Sequence, residues 1–174
     1  MSPSADDLAL EAIREFQHLL AQSLRKIRHC LGQLKQEQIW WRPEPGLNSI
    51  GNLILHLSGN LNQWAVAGIT GAHDKREREA EFQAEQSHNR DELLSLLEQS
   101  VERANAVFQT LSAADLLESR TIQGFSVSVL GAITHTVPHF VGHTHQIIYL
   151  TRLQLGETYQ FDWSPDAERN GVPI

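Results

Sequence analysis

Apolar residues recur every three to five positions along four long segments of the chain, and this spacing predicts four α-helices. The first runs from about Ser4 to Lys35 and the second from about Ser49 to Ile69. The third runs from about Asn89 to Leu111 and the fourth from about Ser126 to Leu155. Most connections between them are short, so the pattern predicts an all-α fold, most simply a four-helix bundle.

Residues at the ends of these segments support the boundaries. Ser4 begins a sequence that resembles a capping box, and Ser49 supplies an N-cap for the second helix. Gly156 is a natural stop for the fourth helix. Pro138 removes a backbone donor inside that helix and predicts a kink there. Positions 118–125, just before it, are expected to be irregular or briefly extended.

Two segments lie outside the four helices. In the connection between the second and third helices, Gly71 to Ser87, most of the charged residues lie between Asp74 and Phe82. It is either a solvated connection or a structured loop that faces a ligand, and the sequence favours neither. The C-terminal tail from about Glu157 is polar apart from Phe161 and Trp163, whose side chains we expect to pack back against the bundle.

Two of the predicted helices lie in long runs without Asp, Glu, Lys or Arg, Pro45–His73 and Thr121–Thr151. Both runs are long enough to cross a bilayer. They are interrupted, however, by Asn, Gln, Ser, Thr and His residues. This interruption predicts helices that are enclosed by protein rather than by lipid, and we expect no membrane partner.

The composition narrows the class of protein. A chain of 174 residues, 41% of them hydrophobic, is expected to form a single domain over 1–174 with a sizeable core. A formal net charge of −7 disfavours nucleic acid as a partner. The one cysteine, Cys30, excludes an intramolecular disulfide and is expected to be a buried thiol in a reducing compartment. The polar N-terminus is unlike a signal peptide, so we expect a cytoplasmic protein.

Candidate chemistry concentrates in the fourth helix, where four of the nine histidines lie between His135 and His145. His135, His139 and His143 recur every fourth residue and share one helix face, as ligands of a divalent transition metal do. His135 and His143 are about 12 Å apart along the axis, too far to meet on one ion. One adjacent pair can meet: His135 with His139, or His139 with His143. His145 lies on the opposite side and is expected to face solvent.

A histidine pair alone is a weak site, so a third ligand is expected from another helix. His56 is the best candidate because it lies in the other chargeless run. The remaining histidines are expected at the surface, namely His18, His29, His73 and His88. The alternative is that the histidines of the fourth helix are only polar core residues. Without metal or hydrogen-bond partners, however, buried imidazoles carry a desolvation cost.

The residues around these histidines resemble the DinB-like (damage-inducible) superfamily of four-helix metal-binding proteins. In that family a histidine of the second helix joins a His-x-x-x-His pair of the fourth, and a glutamine follows three positions later. The matching residues here are His56, the pair His139 and His143, and Gln146. One departure is Thr144-His145, which stands where the family often has Arg-Gly.

Two other segments carry the same resemblance. The sequence Trp41-Arg-Pro43 before Asn48-Ser49-Ile50 is similar to the lead-in of the family's second helix. The charged loop from Asp74 to Phe82 is similar to that of one uncharacterised branch. The resemblance covers roughly Leu8 to Leu155.

The resemblance implies that His56, His139 and His143 hold Zn²⁺, Ni²⁺ or Fe²⁺ with coordination positions left open. It therefore implies a metal-dependent enzyme acting on a small molecule, by hydrolysis or by transfer to or from a thiol. The alternative is a non-catalytic, stress-associated metal-binding protein, and we expect a homodimer. The side chains expected to orient the imidazoles or bind the ligand are Gln146, Asn52 and Asn60. No acidic residue lies near the histidines in sequence as a general base, and only Asp74 or Glu81 could approach from the loop.

Overall fold

The computed structural model of the protein describes residues 2–162, and helices dominate it. In chain order the helices are α1 (Ala5–Gln33), α2 (Gln36–Ile39), α3 (Ile50–Leu61), α4 (Gly68–Thr70), α5 (Arg78–Gln83), α6 (Arg90–Phe108), α7 (Ala113–Leu117) and α8 (Val129–Leu155). A π-helical turn over Asn62–Ala67 joins α3 to α4, so the two continue as one long helix. A 3₁₀ turn, Gly156–Thr158, follows α8.

Four long helices close into a bundle. Helix α1 packs against α6 and α8, and α3 packs against the same two helices from the other side. The apolar stripes of all four meet in a core in which the side chains of Leu20, Ile27, Ile54, Leu97 and Phe140 are almost completely buried. The predicted all-α four-helix bundle is confirmed. The periodicity of apolar residues did not predict the π-helical turn, because buried apolar residues continue through α3, the turn and α4.

The start of α3 is held by a buried capping box. Ser49 Oγ accepts a hydrogen bond from the backbone N–H of Asn52, and Asn52 Oδ1 accepts one from the backbone N–H of Ser49, both at 3.1 Å. The other end of the amide contacts the connection between α4 and α6. Asn52 Nδ2 donates to the carbonyl oxygens of Glu81 at 2.9 Å and Ala84 at 3.0 Å. One asparagine therefore fixes a helix start and fastens a loop to it.

That connection is structured, whereas its expected orientation towards a ligand stays a prediction. It contains α5, and its backbone is also held by Arg42, whose Nη2 donates to the carbonyl oxygen of Phe82 at 3.0 Å. Two polar side chains from outside the loop, the buried Asn52 and the half-buried Arg42, thus hold its main chain. The segment lies against α3 instead of extending into solvent.

A β-hairpin precedes α8, where the sequence predicted irregular or briefly extended backbone over 118–125 and a fourth helix from about Ser126. Strands β1 (Ser119–Ile122) and β2 (Phe125–Ser128) pair antiparallel. The two turn residues, Gln123 and Gly124, both have positive φ (52° and 83°), as the tight turn of a hairpin requires. Helix α8 begins at Val129 rather than Ser126, because Ser128 Oγ accepts from the backbone N–H of Gly131 at 3.0 Å and acts as the N-cap.

Other expectations can be compared with the structure at single residues. Cys30 is buried, and Gly156, with a φ of 54°, ends α8. Helix α8 runs unbroken through Pro138, and the kink expected there stays a prediction. Phe161 remains largely exposed, although its ring lies 5.0 Å from the Arg152 guanidinium. Trp163 lies outside the described residues.

Within residues 2–162, no helix combines the length and the hydropathy that crossing a bilayer requires.

Replacing Asn52 with Ala is expected to lower the free energy of unfolding by about 1–3 kcal/mol, because the carbonyl groups of Glu81 and Ala84 would lose a buried donor. A matched control is Asp115→Ala, which removes the same position of a solvent-facing capping box at α7. It should cost less, because water can replace the lost hydrogen bonds at this exposed site. Urea unfolding measures both, and equal losses would contradict a role for Asn52 in holding the loop.

Candidate metal centre

Helices α3 and α8 bring three imidazoles together. His56 comes from α3, and His139 and His143 come from successive turns of α8. One ring nitrogen from each lies within 4.8 Å of the others, and His56 Nε2 is 2.9 Å from His139 Nε2. His56 is buried, whereas the other two are half-buried. Of the two histidine pairs that the spacing left open, the second is therefore the one that meets His56.

The neighbouring histidines lie outside this group. The ring of His135 stacks on Trp64, with 4.0 Å between the ring centroids and 31° between the planes. His145 is exposed, as expected from its position on the opposite face of α8. The two histidines that flank the charged loop and those of α1 take no part. Of these, His29 and His88 are half-buried rather than exposed, and His29 Nε2 donates to the carbonyl oxygen of Gln160 at 2.7 Å.

The environment of His139 and His143 favours their neutral forms. Burial lowers the pKa of His139 from 6.5 to about 4, and the nearby His143 and His56 add to the effect because a second positive charge is disfavoured there. Burial also lowers the pKa of His143, although its hydrogen bond to Gln146 opposes the shift. Neutral imidazoles retain a lone pair, so this donor set fits a divalent transition metal.

Gln146 lies where the sequence placed it, one turn from His143. Its Oε1 is 2.7 Å from His143 Nδ1. Because an amide oxygen can only accept, His143 carries its hydrogen on Nδ1 and has its lone pair on Nε2. The contact therefore fixes the ring orientation of one candidate ligand.

The amides of Asn52 and Asn60 hydrogen-bond to groups other than the imidazoles. Their expected role in binding a ligand stays a prediction. Asn52 is occupied by the capping box and the loop carbonyls. Asn60 Oδ1 accepts from the Thr136 hydroxyl at 2.7 Å, so its amide joins α3 to α8. Helical spacing placed both residues one turn from His56, but it could not indicate which of several available partners each amide would take.

Two charged residues of the loop contact His56, and the sequence did not assign either to the site. His56 Nδ1 lies 3.1 Å from Glu81 Oε2 and 3.0 Å from Arg76 Nη2. Arg76 also donates twice to Glu81, from Nε to Oε1 at 2.7 Å and from Nη2 to Oε2 at 2.8 Å. The two side chains are only 4% and 10% exposed. The sequence suggests that Glu81 could approach the histidines from the loop. Apart from its charge, nothing in the sequence distinguishes Arg76 as a residue of the site.

This ion pair keeps the carboxylate charged. Burial alone would raise the pKa of Glu81, but hydrogen bonds from Arg76 and His56 outweigh it and hold the pKa below the usual value. Glu81 is therefore an ionised acceptor beside a candidate ligand.

Gly59 leaves the space that this pair occupies. A Cβ at Gly59 would overlap Glu81 Oε1 and lie 2.9 Å from Arg76 Nε. Phe82 covers the same side, with its ring 4.9 Å from that of His56. The loop thus closes the site on the α3 side.

A cleft of about 800 Å³ lies between the loop, α3 and α6, on the far side of the ion pair. Its lining includes Arg76 and Glu81 but none of the three histidines. The remaining lining is largely apolar, with Leu55, Val66 and Leu96 among the residues. The imidazole group and this cleft are therefore separate spaces that share one ion pair.

Comparison with known proteins agrees with this picture. Residues 7–164 match a family described as "Protein of unknown function (DUF1572)". The chain belongs to this family. Among solved structures it is similar to a DinB-like protein from Bacillus cereus ATCC 10987, with 14% identity and a TM-score of 0.66 over 84% of this chain and 95% of that one. It is also similar to a DinB-like protein from Bacillus subtilis, with 15% identity and a TM-score of 0.61 over 85% of this chain and 99% of that one.

These likenesses confirm the predicted DinB-like resemblance and the fold. At such low identity they concern the fold alone. No functionally curated protein matches the sequence. What the site does must therefore be argued from its residues.

Replacing Gly59 with Ala is expected to lower the free energy of unfolding by about 1–3 kcal/mol, because the new methyl group must displace the Arg76–Glu81 pair. The control is Gly32→Ala in α1, where a Cβ would meet nothing within 4 Å. That change should stabilise the protein by up to about 1 kcal/mol through helix propensity. Chemical denaturation compares the two, and a gain of stability in both would contradict the close approach at Gly59.

The stability of the metal-free protein is expected to depend on pH through His139. Its pKa is about 4 in the folded chain against 6.5 ordinarily, so the unfolded chain binds more protons between these values. The free energy of unfolding should have its full value above pH 6.5 and should fall as the pH drops towards 4. Urea unfolding in the presence of a chelator measures this. His139→Gln should flatten the dependence, whereas the exposed control His145→Gln should preserve it, and identical profiles in both would refute the assignment.

Proposed function

We propose that this protein holds a divalent transition-metal ion on His56, His139 and His143. The observation that carries the proposal is the convergence of three imidazole nitrogens, from two helices, within 4.8 Å of one another. Isolated histidines are found in many surroundings, but three adjacent imidazoles, one buried and two half-buried, need partners to offset their desolvation. A metal ion satisfies all three at once.

The chemistry of the donor set supports a transition metal. Imidazole suits Zn²⁺, Ni²⁺ and Fe²⁺, whereas Mg²⁺ and Ca²⁺ prefer oxygen ligands. Within residues 2–162, no other His, Cys, Asp or Glu side chain joins the three in the group. Three protein ligands with a further position open are typical of catalytic rather than structural zinc sites.

The function that fits best is that of a metal-dependent enzyme acting on a small molecule. An ion in such a site supplies Lewis acidity, which polarises a carbonyl group or favours the ionised form of a thiol. His139 and His143 are half-buried, so a small molecule can approach from the α8 side. On the α3 side, Phe82 and the loop cover His56.

Transfer to or from a small thiol fits this site better than hydrolysis. Hydrolysis would benefit from a free general base, and the acidic residue in contact with the group is Glu81. Both of its oxygens accept hydrogen bonds from Arg76, so the carboxylate is already engaged. A thiol that ionises on binding needs no such base.

The alternative is a non-catalytic metal-binding protein that works as a homodimer. What favours it is a group of exposed apolar side chains near the C-terminal end of α8, namely Trp41, Tyr149 and Leu153. Trp41 and Leu153 line one shallow surface pocket, and Tyr149 lies one turn from Leu153. The two functions share the metal site and differ in whether a substrate approaches it.

The purified protein is expected to carry about one transition-metal ion per chain, since the three histidines form one group. His56→Ala and His139→Ala should each remove most of the metal, because either change leaves only two imidazoles. His145→Ala is the matched control from the exposed face of α8 and should leave the metal content unchanged. Elemental analysis of the four proteins decides the question, and undiminished metal in both site variants would refute the proposal.

A further inference from the structure

The two ring nitrogens of His56 face different partners. Nε2 lies 2.9 Å from His139 Nε2, on the side of the imidazole group. Nδ1 lies between the charged groups of the loop, 3.1 Å from Glu81 Oε2 and 3.0 Å from Arg76 Nη2. Which of the two nitrogens carries the hydrogen therefore depends on which loop residue Nδ1 bonds.

Only one of the two arrangements is compatible with metal binding. A carboxylate oxygen can only accept a hydrogen bond and a guanidinium N–H can only donate one. When Nδ1 carries the hydrogen it donates to Glu81, and Nε2 presents a lone pair to the group. When Nε2 carries the hydrogen it donates to His139, and Nδ1 accepts from Arg76. In the second arrangement His56 has no lone pair to offer a metal.

We propose that Glu81 is a positioning residue, which selects the tautomer of His56 that can ligate a metal ion. The inference rests on the proposed metal site and adds to it the residue that prepares one of its ligands. A carboxylate that accepts the second N–H of a ligating histidine fixes the ring and raises its basicity. Arg76 has two opposed effects, since it holds Glu81 in place and also competes with it for Nδ1.

Because the contact is buried, the tautomer of His56 depends on the side chains of Arg76 and Glu81. His56, Arg76 and Glu81 have side chains that are 7%, 4% and 10% exposed, so water has little access as a substitute partner. The space for the pair exists because position 59 has no side chain. The contact is thus built into the packing of the loop against α3.

The test is the affinity for Zn²⁺, measured by competition with a chelator of known affinity. Glu81→Ala should weaken binding by about 10–100-fold, because Arg76 then donates to Nδ1 without a competitor. Removing that donor as well, in Arg76→Ala/Glu81→Ala, should recover part of the affinity. Glu79→Ala is the matched control, because it removes an exposed carboxylate from the same short helix. It should bind as the wild type does.

Recovery in the double variant separates positioning from a merely structural role. If Glu81 only held the loop closed, removing Arg76 too would weaken binding further, and this result would overturn the inference. A wild type that does not bind Zn²⁺ would instead refute the proposed metal site. Wild-type binding with an unchanged affinity in Glu81→Ala would refute the role of Glu81 alone.

A spectroscopic measurement covers the case in which the alanine variants fold poorly. Nitrogen-15 NMR of the metal-free proteins reports which ring nitrogen of His56 carries the hydrogen. The isosteric Glu81→Gln, which removes the negative charge and keeps the volume, should raise the population with hydrogen on Nε2 relative to wild type. An unchanged tautomer population in that variant would overturn the inference.

Discussion

The packing of α3 against α8 is the contact on which the rest of this site depends. Both helices lie in runs without a charged residue, and a hydrogen bond between Asn60 and Thr136 joins them in the core. A charged side chain at this contact would have to be buried, at a high desolvation cost. The absence of charge that allows the helices to pack closely also leaves His56 facing His139 and His143, with a low pKa at His139. Close packing and the candidate metal site therefore have the same cause.

The loop between α4 and α6 is the second element of the site. Its backbone is held by Asn52 and Arg42, and its buried pair, Arg76 and Glu81, contacts His56. A buried ion pair contributes little net stability, because desolvation offsets much of its Coulomb energy. The fixed geometry of the Arg76–Glu81 pair, however, restricts the orientation of the side chains that contact it. In this protein the pair contributes orientation at a histidine rather than stability.

The fold and the function rest on different observations. Solved DinB-like proteins share the bundle at 14% and 15% identity, and a shared fold hosts many activities. The case for a metal rests instead on the three donor atoms, on the lowered pKa values of His139 and His143 and on the contacts at the far nitrogens of His56 and His143. Gln146 orients His143 and Glu81 contacts His56, so two of the three candidate ligands have a fixed partner. The π-helical turn after α3 belongs to the same region and brings Trp64 against His135.

Helical spacing paired His139 with either His135 or His143, and the family resemblance chose His143. The four long helices and the caps at Ser4 and Ser49 could be predicted from the sequence alone. Each depends on local spacing, which the helical repeat converts directly into a shared face. The contacts of the loop could not be predicted, because Glu81 is separated from His56 by 25 positions and no repeat connects them. The hydrogen-bond partners of Asn52 and Asn60 could not be predicted from helical spacing, since an amide bonds whichever groups the packing places beside it. The briefly extended backbone expected over 118–125 agrees with β1 and the turn, whereas the helix start predicted at Ser126 is wrong because β2 continues to Ser128. Local periodicity determined which residues share a helix face, and only tertiary packing decided which groups those faces meet.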